Sequence, residues 1–338
     1  MLISTSKARI TFIRIFLIII SLISIESSYA SSPSFEIWLK NFKILAEKKG
    51  ISKTTIDETL KDVIYLDKVI VYDNRQPEFF EKTKVYISKR ASRRSVNEAK
   101  IQYLKNKEIF KEVEKKFKVE KEILLALWST ETNFGKNLGK MDIVSSLATL
   151  SFDKRRSEFF TEQLLILLEL VDKNILSKEM LYGSWAGALG NFQFMPSSIS
   201  KYGIDYDNDG MIDLKKSKYD SIASAANYIN KMGWVYKGGC FNQVDFTKNI
   251  NKELFNHSAR NIKNKKKINK WIEMGIVREN GGKFSELDEI AALVLPDGDS
   301  TSPKYLVFQN YEKILKWNRS LRFGLSVCTL AKAIKDEI

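Results

Sequence analysis

Apolar residues recur at intervals of three and four from Phe35 onward: Phe35, Trp38, Leu39, Phe42 and Leu45. That spacing predicts an amphipathic helix, and Ile51-Ser52-Lys53 opens a second one. Val69-Ile70-Val71-Tyr72 reads as a short extended piece, after which Gln76-Pro77-Glu78-Phe79 breaks the chain before another helix. Residues 90–118 are basic and helical, with Ile109, Phe110, Val113 and Phe117 along one face. The pattern then changes. Ile123 to Trp128 is apolar on every side, as expected of a helix enclosed by the core. Asp142 caps a helix through Val144, Leu147 and Leu150, and a long apolar helix runs from beyond Asp153 to Val171. Residues 220–233 are helical and end at Gly233. From Trp234 to about Phe308 the periodicity weakens into a mixed region with a few short strands, and Tyr311 to Ile338 returns to helix. No internal repeat and no Pro- or Ser-rich linker divides the chain.

The first thirty residues stand apart from this pattern. Lys7, Arg9 and Arg14 precede an apolar run from Ile15 to Ile25, and Ser28-Tyr29-Ala30 supplies small residues at the −3 and −1 positions of a cleavage site. The run is too short to span a bilayer comfortably, so residues 1–30 read as a cleaved export signal. No cysteine follows it, which argues against a lipid-anchored start. Roughly three hundred residues remain, room for one large domain or two intimate ones. No later segment has the length and apolarity of a membrane helix.

The formal charge of +14 would suit nucleic acid, but in an exported protein it points to an anionic cell-wall polymer or lipid surface. The run Lys263-Asn264-Lys265-Lys266-Lys267 reads as a solvated helix face or loop. Export permits Cys240 and Cys328 to pair, although two buried free thiols fit the sequence as well. His257 is the single histidine, so histidine-based triads lack support and a zinc site would need unusual ligands. The chemistry must rest on carboxylates, hydroxyls and amides.

Three stretches carry candidate chemistry. Glu131 lies three residues after Trp128 and four after Leu127, on one helical face with both, and Gly135 offers a C-terminal stop. A carboxyl held against an apolar face has its charged form disfavoured, which suits a general acid. A glutamate at a fraying helix end, reaching water, is the plainer alternative. Tyr182 to Pro196 interleaves three glycines with aromatics, which suggests close backbone approach to a ligand or tight helix packing. It lacks the ending of a phosphate loop. Asp205-Tyr206-Asp207-Asn208-Asp209-Gly210-Met211-Ile212-Asp213 places oxygens and a glycine as in the start of a calcium-binding hand. Position twelve is Lys216 rather than glutamate, which leaves Asp220 to supply a bidentate ligand. A plain acidic turn is the other reading.

Several motifs, in order, resemble the exported lytic murein transglycosylases of the membrane-bound B type. They are Gln76 to Phe79, Glu131-Thr132-Asn133-Phe134-Gly135, Arg155 to Phe160, Gly183-Ser184-Trp185-Ala186-Gly187-Ala188, Gln193 to Ser198, the aspartate loop, Ala226-Asn227-Tyr228 and Trp317-Asn318-Arg319-Ser320. The resemblance implies a predominantly helical, lysozyme-like α+β fold over residues 31–338, with its core at about residues 100–235. It implies a periplasmic enzyme that cleaves the β-1,4 bond between N-acetylmuramic acid and N-acetylglucosamine with formation of a 1,6-anhydro ring. One glutamate, Glu131, would serve as acid and then base. Ser184 and Gln193 would orient the acid and the N-acetyl sugars, Arg155 and Arg156 would contact sugar or peptide carboxylate, and Tyr228 and Asn318 would line the cleft. A structural calcium would sit on Asp205, Asp207, Asp209, the Met211 carbonyl and Asp220. No cofactor is required for the chemistry. The implied partners are glycan strands and wall-remodelling proteins, not nucleic acid. Phe159, Phe323 and Trp317 depart from the pattern, standing where relatives commonly carry tyrosine.

Two other functions share these residues: hydrolysis of the same glycan, and a wall-binding scaffold of low activity. Hydrolysis would require a placed water and usually a second carboxylate, for which the sequence offers no candidate.

Overall fold

A computed structural model describes residues 33–74 and 81–338. Residues 1–30, read from the sequence as an export signal, and the Gln76-Pro77-Glu78-Phe79 motif therefore lie outside the described residues. The amphipathic pattern at the start forms α1 (Pro33–Lys48), and Ser52 caps α2 (Lys53–Thr59) by accepting from the Thr55 amide. Val69 to Tyr72 is helical rather than extended, inside α3 (Asp67–Asn74). Val69 and Asp73, four apart, are the buried positions of that helix, and packing against α8 (Ile143–Phe152) outweighs the β-branched run. The basic stretch over 90–118 is not one helix. It follows α4 (Thr83–Arg90) and divides into α5 (Arg93–Lys105) and α6 (Lys107–Phe117) at Asn106, whose side-chain amide turns back to the Gln102 carbonyl.

The apolar helix is α7 (Lys121–Thr132), with Ile123 to Trp128 all buried. On it lies α14 (Leu321–Lys335), the last helix of the chain, whose own apolar face includes Phe323, Val327 and Leu330. Asp142 caps α8 through the Val144 amide, as the sequence predicts. Residues 141–142 form β1 (Met141–Asp142), paired antiparallel with β2 (Tyr182–Gly183). The hairpin of α8 and α9 (Ser157–Asp172), short α10 (Pro196–Tyr202) and α11 (Lys218–Lys231) complete the helical body. Gly233, at φ +85°, follows the end of α11.

The weakly periodic region is an antiparallel sheet of β3 (Phe241–Phe246), β4 (Lys266–Lys267), β5 (Ile276–Arg278), β6 (Ile290–Val294) and β7 (Lys304–Val307), in the order β4-β6-β7-β3-β5. Alternation along β6 and β7 divides two cores. Ala292, Val294, Tyr305 and Val307 join the main helical core, while Ala291, Leu293 and Leu306 face a smaller one with Trp271 of α12 (Ile268–Glu273). The lysine run ends in strand β4, at a sheet edge, where charged side chains discourage pairing with another chain. The chain returns through α13 (Gln309–Trp317) and, after Asn318 to Ser320, α14.

Cys240 and Cys328 are bonded, with Cα atoms 6.1 Å apart, which joins the entry of β3 to α14. The bridge closes 88 residues of sequence, so the pairing that the sequence left open restrains a long stretch of the unfolded chain. Replacing both cysteines by serine should lower unfolding stability by about 2–5 kcal/mol in a denaturant titration. No loss would mean that the two sites are equally well held as thiols.

Candidate active site

Glu131 occupies the last turn of α7. The helix does not run on to Gly135, because Asn133 at φ +49° already ends it, and Phe134 at φ +58° and Gly135 at φ +82° continue in the left-handed region. Two successive non-glycine residues there are strained and persist only when surrounding contacts hold them. The Phe134 ring packs edge-on against Trp128 with centroids 5.4 Å apart. The Gly135 amide donates to Thr132 Oγ1 (3.0 Å), and that hydroxyl donates to the Asn191 carbonyl (2.7 Å). The carboxylate therefore sits at a sharply turned, pinned helix end rather than a fraying one.

Trp317, at the end of α13, meets it directly: the indole Nε1–H donates to Glu131 Oε1 at 2.9 Å. Indole is a donor only, so Oε1 of Glu131 is the acceptor. Trp317 in turn stacks on Tyr228 (4.7 Å, 25°), and Tyr228 stacks on Tyr202 (4.3 Å, 10°). The rings of Phe192 and Phe194 meet the other side of Trp317 edge-on. Three elements, α7, α11 and α13, thus converge on one carboxylate through an aromatic column. Burial pushes the Tyr228 hydroxyl above its ordinary pKa, so it remains a neutral hydrogen-bonding group.

The other expected residues fall in two groups. Gln193, between Phe192 and Phe194, is held at φ +50°, and its Nε2 donates to the carbonyls of Gly190 (3.0 Å) and Leu138 (3.3 Å). Its Oε1 is left as an acceptor. Ser184 Oγ accepts from the amides of Ala186 (3.3 Å) and Ala188 (3.0 Å), which leaves its hydrogen to donate. Asn318 is next to Trp317 and half-buried, and its side-chain amide makes no hydrogen bond among the described residues. Arg155 and Arg156 are placed differently. Both pair with the carboxylate of buried Asp73 on α3, and Arg155 Nη2 also donates to the Asp73 carbonyl at 2.8 Å. Their forks fasten the α8–α9 turn to α3, and Arg156 also lies 4.8 Å over the Phe160 ring.

The glycines between Tyr182 and Pro196 do not open the backbone to a ligand. A Cβ on Gly183 would stand 2.2 Å from the Ala188 carbonyl oxygen, and one on Gly190 2.5 Å from Leu214 Cβ. They let the loop pack on the protein itself. Of the departures, Phe159 is exposed, whereas Phe323 is only 3 % exposed within the main core, where it supplies packing rather than a cleft surface. Sequence reasoning missed Asn191, which is fully buried. Its Oδ1 accepts from Trp128 Nε1 (3.0 Å), and its Nδ2 faces the carbonyls of Leu214 and Lys215 (both 2.9 Å). A polar residue between Gly190 and Phe192 was the only available signal. His257 binds the Leu295 carbonyl through Nδ1, in the sheet region.

In the aspartate loop, carboxylate oxygens of Asp205, Asp207 and Asp209 lie within 4.8 Å of one another, and Gly210 makes the turn at φ +96°. These three fit a hard, oxygen-seeking cation. Asp220 stands apart from that cluster. It is fully buried, and its two oxygens accept from the amides of Tyr206 (2.8 Å) and Asp213 (2.8 Å), so it organises the loop from beneath. Burial holds its pKa above the ordinary carboxylate value. Met211 is exposed at the loop tip.

The predominantly helical, lysozyme-like body is that of the lytic transglycosylase fold. The chain belongs to the transglycosylase SLT domain family, whose model matches residues 34–332, and is an enzyme of the lytic murein transglycosylase kind. It is 27 % identical over 317 residues to the membrane-bound lytic murein transglycosylase B of Escherichia coli K12, covering 90 % of this chain and 84 % of that protein. SltB3 of Pseudomonas aeruginosa, solved with NAG-NAM-pentapeptide, superposes with a TM-score of 0.82 at 31 % identity, over 90 % of this chain and 80 % of that one. The lytic transglycosylase Slt35 of Escherichia coli, solved with calcium, gives 0.74 at 25 % identity, over 91 % and 94 %.

Trp317→Phe keeps a ring in the aromatic column but removes the donor to Glu131. A hydrogen bond to a charged group contributes about 1.5–3 kcal/mol, so kcat should fall by about 10- to 100-fold with little change in thermal stability. An unchanged kcat would show that the indole N–H does not serve the reaction. For the loop, calcium should raise the melting temperature, since a ligand at one hundred times its Kd adds about 2.7 kcal/mol. Asp209→Ala should abolish that rise while leaving the chelator-treated protein nearly unaltered. Equal shifts with magnesium and calcium would mark a plain acidic turn.

Proposed function

We propose that the chain cleaves the β-1,4 bond between N-acetylmuramic acid and N-acetylglucosamine in peptidoglycan and leaves 1,6-anhydro-muramoyl ends. Glu131 acts alone. It gives its proton to the glycosidic oxygen as the C1–O bond breaks, so the N-acetylglucosamine leaves with a free 4-hydroxyl. The resulting carboxylate, steadied by the Trp317 N–H, takes the proton of the muramoyl C6 hydroxyl while O6 bonds to C1 and closes the ring. The acid is regenerated and no water enters the balance.

The observation that carries this reading is the Trp317–Glu131 hydrogen bond within a wall of rings. It positions one carboxylate, and the residues around it supply stacking surfaces and amides. Glycosidases that work through water or a covalent intermediate use a carboxylate pair. Gln193 Oε1 would accept from an N-acetyl N–H, the Ser184 hydroxyl would donate to the sugar or to Glu131, and Tyr228 and Asn318 would line the subsites. Arg155 and Arg156, engaged with Asp73, would reach the peptide side of a strand only with their remaining donors. NAG-NAM-pentapeptide, the ligand of SltB3, is the corresponding substrate class. Residues 1–30 would direct export, placing residues 31–338 in the periplasm as one catalytic region. Among the described residues no helix is long and apolar enough to cross a membrane. The loop on Asp205, Asp207 and Asp209 would hold a structural calcium, with no cofactor in the reaction. The basic charge would serve the anionic wall and wall-remodelling proteins rather than nucleic acid.

Mass spectrometry of digested sacculi tests the proposal. The wild type should release anhydro-muropeptides. Glu131→Gln, nearly isosteric but unable to give or take the proton, should lose about 10²–10⁴-fold while folding normally and binding glycan. Glu158→Gln and Glu162→Gln, at exposed positions of α9, should retain most activity. Reducing ends would establish a hydrolase, no cleavage a scaffold, and a fully active Glu131→Gln another carboxyl as the acid.

A further inference from the structure

A large cleft lies at the N-terminal end of α7. Glu120, which lines it, precedes Glu131 by eleven residues, about 16 Å along the helix axis. The cleft holds about 1060 Å³, at the upper end of the ~300–1,000 Å³ common to ligand sites. Its floor is apolar, built from Ile123, Tyr305 and the Cys240–Cys328 disulfide. Its rim is basic. Lys84 comes from α4, Lys237 from the approach to β3, Arg278 from the end of β5, and Lys332 and Lys335 from the last turn of α14.

The acids lining the same cleft are mostly committed to other partners. Glu120 accepts from Trp234 Nε1 (2.6 Å) and the Lys237 amide, Glu122 pairs with Lys121 (2.8 Å), and Asp245 pairs with Lys304 (3.0 Å). Only Glu279 has no side-chain partner among the described residues. Lys84, Lys332 and Lys335 are exposed and make no ion pair among those residues. The balance of uncommitted charge is positive, spread around an apolar floor. Such a site favours an extended ligand that carries several separated anionic groups and some apolar surface. A single small anion would occupy little of it.

We propose that this cleft binds a short, carboxylate-rich peptide, the chemistry of the stem that branches from peptidoglycan glycan. The ligand class rests on the cleft, and only the choice of the stem as its source rests on the function proposed above. Bound there, a stem would hold a strand of the wall against the enzyme at a distance from Glu131. The lysines attract its carboxylates through exposed charge, so the interaction weakens with salt.

Fluorescence anisotropy of a labelled, sugar-free stem pentapeptide, titrated with the full mature chain, tests this. Saturable binding should weaken about ten-fold in Lys332→Gln/Lys335→Gln, and again in Lys84→Gln, with unchanged melting temperature. The same peptide with its carboxylates amidated should bind wild-type protein about ten-fold more weakly, a comparison that needs no variant to fold. Glu131→Gln should bind the peptide like wild type, so failure of the catalytic assignment would leave this result standing. The proposal is overturned if no saturable binding occurs, if amidation has no effect, or if the lysine variants bind as tightly as wild type. Preferential binding to phosphatidylglycerol vesicles over the peptide would also overturn it, assigning the rim to a lipid surface.

Discussion

Asn191, itself fully buried, holds the segments around Glu131 together through a set of mostly buried hydrogen bonds. Its side chain accepts from Trp128 on α7 and donates towards Leu214 and Lys215 at the end of the aspartate loop, with Ser221 of α11 at 3.2 Å. Its backbone carbonyl takes the Thr132 hydroxyl one residue past Glu131, and its amide donates to the Leu214 carbonyl (2.7 Å). A buried polar group of this kind is costly unless every partner is in place, so it accepts only one arrangement of helix, glycine-bearing loop and aspartate loop. The position of Glu131 follows from that arrangement, since Thr132 and the turn after it are tied to the same residue.

The aromatic column supplies the opposite side of the site by different physics. Tyr202, Tyr228 and Trp317 stack face to face, and Phe192 and Phe194 close on the indole edge-on, so the indole has little freedom to rotate. Its N–H is thereby aimed at one carboxylate oxygen before any substrate arrives. Tryptophan combines a stacking surface with an N–H that can only donate, so its contact with Glu131 has one direction.

Electrostatic and covalent restraints lie away from this centre. Arg155 and Arg156 spend their charge on Asp73, a carboxylate only 5 % exposed that would be costly to bury unpaired. Asp220 is satisfied by loop amides, while carboxylate oxygens of Asp205, Asp207 and Asp209 gather within 4.8 Å of one another. The disulfide ties the sheet to the helix that packs on α7, so the mixed region and α7 are restrained together.

Much of this was legible along the chain, because helical periodicity and capping are local. The apolar run to Trp128, the Asp142 cap, the helical character of most segments and the strands after Trp234 depend on residues a few positions apart. Glu131 was a candidate because it shares a helical face with Leu127 and Trp128, four and three residues before it. What local spacing did not show involved partners distant in sequence. Val69 to Tyr72 became helical because α8 covers one side of it, and the glycines served protein packing because Ala188 and Leu214 occupy the space beside them. The pairing of the two arginines with Asp73, more than eighty residues earlier, is likewise invisible to spacing. The Trp317–Glu131 bond spans 186 residues, and the Asn191 node joins four segments. Local sequence determined most of the elements and which side chains were candidates to react. Only the tertiary structure decided which of those side chains meet, because a hydrogen bond is satisfied by position in space and carries no signature in sequence separation.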